Sequence, residues 1–209
     1  MNSPVTLLQV EDIHVWRGDR HVLQGVNFSV GAGNLLHIAG SNGAGKTTLL
    51  RVVCGLIAPE LGAVTWQGHD IRTQRERYQS NIAFAAHDAA LKADLTAFEN
   101  LAFAVSMRRS VTPAQLLDAM RRTGADSYAD LPARVLSAGQ KRRVAMARVL
   151  AAEAPLWLLD EPFSNLDTAG VAVISGLIDE HVGAGGAAVV VAHHGLAEGP
   201  GMRQLVLAA

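Results

Sequence analysis

Cysteine is almost missing from this chain. Cys54 is the only one in 209 residues, so no disulfide can form within it and a thiolate zinc centre lacks its ligands. Cys54 sits mid-helix among apolar residues, where a thiol packs as a small hydrophobe. A surplus of charge is also missing: the net charge is −1 and the pI about 6.7. That leaves no overall basic footprint and argues against nucleic acid as the main partner. No stretch approaches the roughly 18 apolar residues of a membrane span. The opening MNSPVTLLQVEDIHVW has no basic segment followed by an apolar one, as an export signal would. The expectation is a cytoplasmic chain whose membrane role, if it has one, runs through a partner. Internal repeats and low-complexity linkers are absent too. With 49% hydrophobic and 18% charged residues, the chain can bury a core as one domain with a possible subdomain.

The most informative stretch present is Gly40-Ser41-Asn42-Gly43-Ala44-Gly45-Lys46-Thr47, followed by Thr48. It fits G-x-x-x-x-G-K-[ST], the phosphate-binding P-loop. Its glycines let successive backbone N–H groups turn inward as an anion nest. Lys46 can reach the β- and γ-phosphates, and the Thr47 hydroxyl can ligate Mg²⁺. The apolar run at 35–39 reads as a buried strand and residues 47–54 as a helix stopped by Gly55. The helix would then point its positive end at the phosphates of ATP.

Residues 7–16 and 22–30 read as two strands joined by a turn at Gly18-Asp19-Arg20. Trp16, just before that turn, is either a sheet-packing aromatic or a platform for adenine. Further strands are expected at 64–66, 81–86, 155–160, 187–192 and 205–207. Helical patterning begins near Thr96. Thr112 and Pro113 open a helix as N-cap and first residue, Leu116, Leu117 and Met120 share one face, and Gly124 stops it. Another helix is expected over 168–182. Apolar runs without alternation, separated by helices, indicate a mostly parallel sheet covered on both faces, an α/β fold. Residues 88–150 form a helical insertion between core segments 1–87 and 151–209.

Two more constellations carry chemistry. Pro155-Leu156-Trp157-Leu158-Leu159 ends in Asp160-Glu161. Asp160 can hold Mg²⁺, directly or through water, beside Thr47. Glu161 is placed to orient and deprotonate a water that attacks the γ-phosphate. Acids at strand ends can simply cap turns, but a P-loop in the same chain favours the chemical reading. Leu136-Ser137-Ala138-Gly139-Gln140 precedes a long Arg-rich helix. Ser137 as N-cap, with Gly139, makes a second phosphate-binding helix tip, which one nucleotide on one chain does not need.

LSAGQ resembles the LSGGQ signature of ATP-binding-cassette (ABC) ATPases. GSNGAGKT, LWLLDEP, the D-loop Ser164-Asn165-Leu166-Asp167 and a histidine after AAVVVA occur in that family's order. The resemblance covers nearly the whole chain. It implies a P-loop ATPase core with antiparallel N-terminal strands, a helical subdomain and a homodimer. Each ATP would lie between one copy's P-loop and the other's Ser137 and Gly139. It also implies a switch histidine that steadies the γ-phosphate, His193 by count from Asp160, or His194. The aromatic slot falls on Trp16, or Arg17 takes that position. The family's Q-loop glutamine is replaced by His87, whose imidazole is a poor Mg²⁺ ligand, so His87 is expected to act through water or sense a partner. The run AGSNGAGKTTLLRVVCGL with LSAGQKRRVAMARV and LLDEPFSNLD further resembles the heme-exporter ATP-binding subunits of bacterial cytochrome c maturation. Those pair with integral membrane subunits at the inner membrane's cytoplasmic face. Another exporter's ATPase, or a non-transport ABC ATPase, is the alternative. The eight histidines are scattered, and no heme is expected on the chain itself.

Overall fold

The computed structural model describes residues 6–193, 196 and 201–207. Its nine strands and six α-helices divide into two sheets and a helical layer. Strands β1 (Thr6–Arg17) and β2 (Arg20–Gly31) form a long antiparallel hairpin, joined by β4 (Leu61–Trp66) and the two-residue β5 (His69–Asp70) in the order β2-β1-β4-β5. The second sheet is entirely parallel. Its strands are β3 (Leu35–Gly40), β6 (Ile82–Ala85), β7 (Leu156–Asp160), β8 (Ala187–Val191) and β9 (Met202–Leu207), in the order β6-β7-β8-β3-β9. Every residue of β7 and β8 is buried, as continuous apolar strands covered on both faces must be.

Helix α1 (Lys46–Val53) follows β3 and packs Leu49, Leu50 and Val53 between the two sheets, where all three are fully buried. Gly55 takes a left-handed φ of 71°, which ends the helix without a Cβ penalty. A short helix, α2 (Arg75–Ser80), lies outside the sequence expectation. Its six residues are too few to show a period, and it forms because Tyr78 is buried and donates its hydroxyl to Val53 O at 2.7 Å.

Helices α3 (Ala97–Ser106), α4 (Pro113–Thr123) and α5 (Ala138–Ala151) share a separate apolar cluster built on Leu101, Val105, Leu116, Met120 and Val144. Thr96, Thr112 and Ser137 begin these helices with capping boxes, and Gly124 ends α4 in the left-handed region. Leu117 departs from the expected face. It is exposed, and Ala119 takes the buried position beside Leu116 and Met120, because a helix advances 100° per residue and only i, i+3 and i+4 share a stripe. The last helix, α6 (Thr168–Gly183), is N-capped by Asp167 and covers the parallel sheet through Ile174 and Ile178.

Candidate functional site

Parallel strands place their C-terminal ends on one edge, and the loops leaving that edge form a cleft. Here those loops are 40–47 after β3, 86–88 after β6, Asp160-Glu161 after β7, and Ala192-His193 after β8. They enclose a cleft of about 470 Å³ lined by Asn42, Gly43, Gly45, Lys46, Thr47, Thr48, His87, Asp160, Glu161, Ser164 and His193, with Val22 and Val191. Most residues singled out in the sequence thus meet in one place, although up to 151 positions separate them.

The 40–47 loop is built for an anion. Gly45 is the N-cap of α1 at φ 96°, no side chain caps the helix, and its first turn holds no acid. The leading N–H groups of α1 therefore keep their positive ends for a ligand. A Cβ at Gly45 would lie 2.9 Å from Leu23 Cδ2 and 3.0 Å from Val22 Cγ1, so β2 clamps the loop from behind. Arg20 adds a hydrogen bond from Nη2 to Gly43 O at 3.2 Å. Lys46 is buried, and its Nζ donates to Gly40 O at 2.7 Å and Ser41 O at 3.0 Å. Ala44 N closes the turn on Ser41 O.

Asp160 is 1% exposed, and its Oδ2 has no hydrogen-bond partner among the described residues. A buried carboxylate oxygen left unpaired is costly unless a ligand uses it. With the Thr47 hydroxyl in the same cleft, this donor set suits a hard divalent cation that takes its remaining ligands from phosphate and water. Asp160 also pushes the buried Cys54 thiol up, second to the effect of burial itself, which leaves Cys54 an inert core residue.

Glu161 sits at φ 52°, a left-handed conformation that costs a non-glycine residue about 1–2 kcal/mol. Its N–H bonds Val191 O at 2.8 Å, and its Oε1 lies 3.4 Å from His193 Nε2. His193 is anchored from behind. His37 on β3 sets Nε2 2.8 Å from Ala192 O, while Gln204 on β9 approaches His37 Nδ1 at 3.3 Å. His194, the alternative switch position, lies outside the described residues.

Trp16, Ser137 and Gly139 do not line this cleft. Trp16 lies at the hairpin end with its ring stacked on His21, centroids 3.8 Å apart and planes 6° from parallel. Arg17 beside it is exposed. Ser137, exposed, and Gly139, half-buried, form the tip of α5. Ser137 Oγ accepts from Gln140 N, and Gln140 Oε1 accepts from Ser137 N, so the tip satisfies its own cap. The N–H groups of Ala138 and Gly139 have no intrahelical partner. Gly139 abuts the next loop, where a Cβ would fall 2.5 Å from Asn165 O.

Sequence reasoning passed over Arg142 and His37. Arg142 is 3% exposed, on the same side of α5 as Ala145, Met146 and Val149. A charge at i, i+3, i+4 and i+7 from buried apolar positions is a periodicity signal that could have found it. His37 gave no such signal, because its partners are backbone and side-chain atoms more than 150 residues away.

The ABC transporter family profile matches residues 23–164. The chain is 44% identical over 190 residues to the cytochrome c biogenesis ATP-binding export protein CcmA of Nitrosococcus oceani, covering 90% of this chain and 87% of that one. It is likewise 44% identical to the same-named protein of Methylococcus capsulatus, over 90% and 92% of the two chains. Among solved structures, an ATP-binding subunit of an ABC transporter superposes with a TM-score of 0.81 at 27% identity, over 90% of this chain and 80% of that chain. A dimeric ATP-binding cassette in a post-hydrolysis state with ADP and Pi superposes at 0.80 and 25% identity, over 90% and 88%.

Proposed function

The chain belongs to the ABC transporter family as an ATP-hydrolysing subunit of the cytochrome c biogenesis export type, and we propose that two copies hydrolyse ATP between them to drive a heme-export complex. The observation that carries this reading is the convergence of an uncapped α1 tip, the Asp160 Oδ2 left without a partner among the described residues, and the Glu161–His193 pair in one cleft. The signature tip of the same chain stays outside that cleft, facing solvent.

In the proposed cycle, residues 40–48 wrap the triphosphate with backbone N–H groups, and Lys46 Nζ leaves its loop carbonyls for phosphate oxygens. Thr47 and Asp160 are the residues that would hold Mg²⁺, and the ion would neutralise phosphate charge. Ser137 and Gly139 of the second copy cover the γ-phosphate with their helix tip. Glu161 accepts a proton from the attacking water, and His193 donates to the γ-phosphate from the adjacent position. His87 enters the cleft from the opposite side and acts through water. Trp16, partly exposed and stacked with His21 and His14, is the ring this reading assigns to adenine.

No helix among the described residues is long and apolar enough to cross a membrane. In this reading the subunit acts from the cytoplasmic face through an integral membrane partner, with the helical insertion 88–150 as the unit that reports nucleotide state. No direct role for heme or nucleic acid on this chain is part of the reading.

Mixing two inactive variants tests the shared site. Lys46→Ala and Ser137→Ala chains should each be inactive. Together they form heterodimers with one intact site, which restores up to about a quarter of wild-type turnover per chain if pairing is random, the full quarter only if the two sites act independently. Undiminished turnover by Ser137→Ala alone defeats the shared-site mechanism. In cells, loss of the subunit should abolish covalent c-type cytochromes on a heme-stained gel. Wild type but not Glu161→Gln should restore them.

A further inference from the structure

Arg142 stands in the first turns of α5, five residues after Ser137. Its guanidinium is nearly dry, and it reaches three segments at once. Nη1 donates to Ala86 O at 2.8 Å, and Nη2 donates to His87 O and to Ser164 Oγ, the latter at 3.0 Å. Ser164 Oγ in turn donates to Glu161 O at 2.9 Å. Burial pushes the guanidinium below its usual value, while Asp160, Asp88 and Glu161 pull it back, so it stays charged in place. A buried cation costs several kcal/mol unless it is paired and fully bonded. This one is held by two loop carbonyls and a hydroxyl, and all three acceptors belong to loops that border the cleft.

The rigid fork of arginine turns those bonds into a mechanical link. At one end of the link is the α5 tip, with Ser137 and Gly139. At the other are the His87 loop and the turn that carries Glu161. Gly139 meets Asn165 O with no room for a methyl group, so the tip and the 164–165 loop are also in direct van der Waals contact. Asn165 is itself held at a left-handed φ of 63°, which limits how that loop can yield.

We propose that Arg142 is a positioning residue that couples the two nucleotide sites of the dimer. This rests on the shared-site reading above. The α5 tip of one copy touches the partner's ATP, and through Arg142 that tip is tied to His87 and Glu161 of its own copy's site. When ATP at one site draws in the tip, α5 moves, and the Arg142 fork carries the His87 and Glu161 loops with it. Nucleotide at one site thereby completes the catalytic arrangement at the other, which yields positively cooperative turnover.

The test compares full-length wild type, Arg142→Lys and Ser164→Ala with MgATP as the probe. Lys keeps the charge, but its compact ammonium cannot span both arms of the fork. Turnover against ATP concentration should give a wild-type Hill coefficient between one and two, falling to one in both variants. The maximal rate should drop about ten-fold or more, since displacement of reacting groups by an ångström costs that much. Binding of a fluorescent ATP analogue should change less than about two-fold, because the P-loop is untouched. A purely structural role would lower the melting temperature and leave rate and Hill coefficient of the folded protein unchanged, and that result overturns the proposal. If Arg142→Lys does not fold, Ser164→Ala carries the same comparison. A cooperative wild type with both variants still cooperative defeats the coupling alone. A wild type that hydrolyses ATP without cooperativity also defeats it. Turnover and ATP-driven dimer formation left untouched by Ser137→Ala alone instead remove the shared site on which the proposal stands.

Discussion

Replacing Glu161 by glutamine should separate ATP binding from ATP hydrolysis. The change removes a charge and a proton acceptor while keeping shape. The Glu161 backbone is left-handed at φ 52° and bonds Val191 O through its N–H, and glutamine can keep both. The contact between Oε1 and His193 Nε2 at 3.4 Å becomes a neutral one. Two electrostatic effects oppose each other in the resting protein. Losing Glu161 relieves repulsion with Asp160 next door, but it also removes one of three carboxylates that support the buried Arg142 cation. The two have opposite sign, so the melting temperature should move little. Catalysis has no such compensation. A positioned general base contributes about 10²–10⁴-fold, which is about 2.7–5.4 kcal/mol of barrier. Phosphate release by Glu161→Gln should therefore fall at least about a hundred-fold. ATP affinity should hold, and an ATP-bound dimer should accumulate on a sizing column because nothing opens it. Turnover within a few-fold of wild type would refute Glu161 as the base. Loss of ATP binding together with turnover would show that the carboxylate is structural.

Three further outcomes are expected. Gly139→Ala places a methyl group 2.5 Å from Asn165 O, so the tip or its neighbour must retreat. Turnover should fall about ten-fold while nucleotide binding persists, as a kinetic assay beside an ATP-analogue titration would show. Met120→Ala empties a fully buried position in the α3–α4–α5 cluster and should cost about 2–5 kcal/mol in urea unfolding. A cost under about 1 kcal/mol would mean that cluster collapses freely around the gap. His181 is stacked on Trp157, and burial holds its imidazole below the usual range despite its hydrogen bonds to the Ala187 and Pro155 carbonyls. The native state keeps it neutral, whereas the unfolded chain takes up a proton below about pH 6.5. Stability should thus be undiminished by His181 at neutral pH and decline as pH falls through that window. His181→Phe should flatten the decline in urea midpoint between pH 7.5 and 5.5, and equal slopes for the two proteins would contradict the assignment.

Local chemistry made much of this protein legible in one dimension. The 40–47 loop needs glycines, a lysine and a threonine at fixed spacing, because nest, charge and hydroxyl must reach one phosphate chain. Thr112-Pro113 and Gly124 mark α4 through backbone conformations that those residues prefer. The apolar runs ending at Asp160 and Ala192 announce buried parallel strands, and a strand-end acid beside a P-loop points to phosphate chemistry. All of these depend on residues within a few positions of one another.

The sequence did not reveal what depends on distant partners. α2 exists because Tyr78 finds Val53 O, 25 residues away in sequence. The separation of the antiparallel strands into their own sheet, the His37–Ala192 tether behind His193, and the Arg142 fork join segments from 22 to more than 150 residues apart. Composition and spacing set the chemistry each loop can offer, since that is written in side chains and local backbone. The three-dimensional packing alone decided which loops meet, because a hydrogen bond across the fold is specified by the whole core and not by the neighbours of either residue.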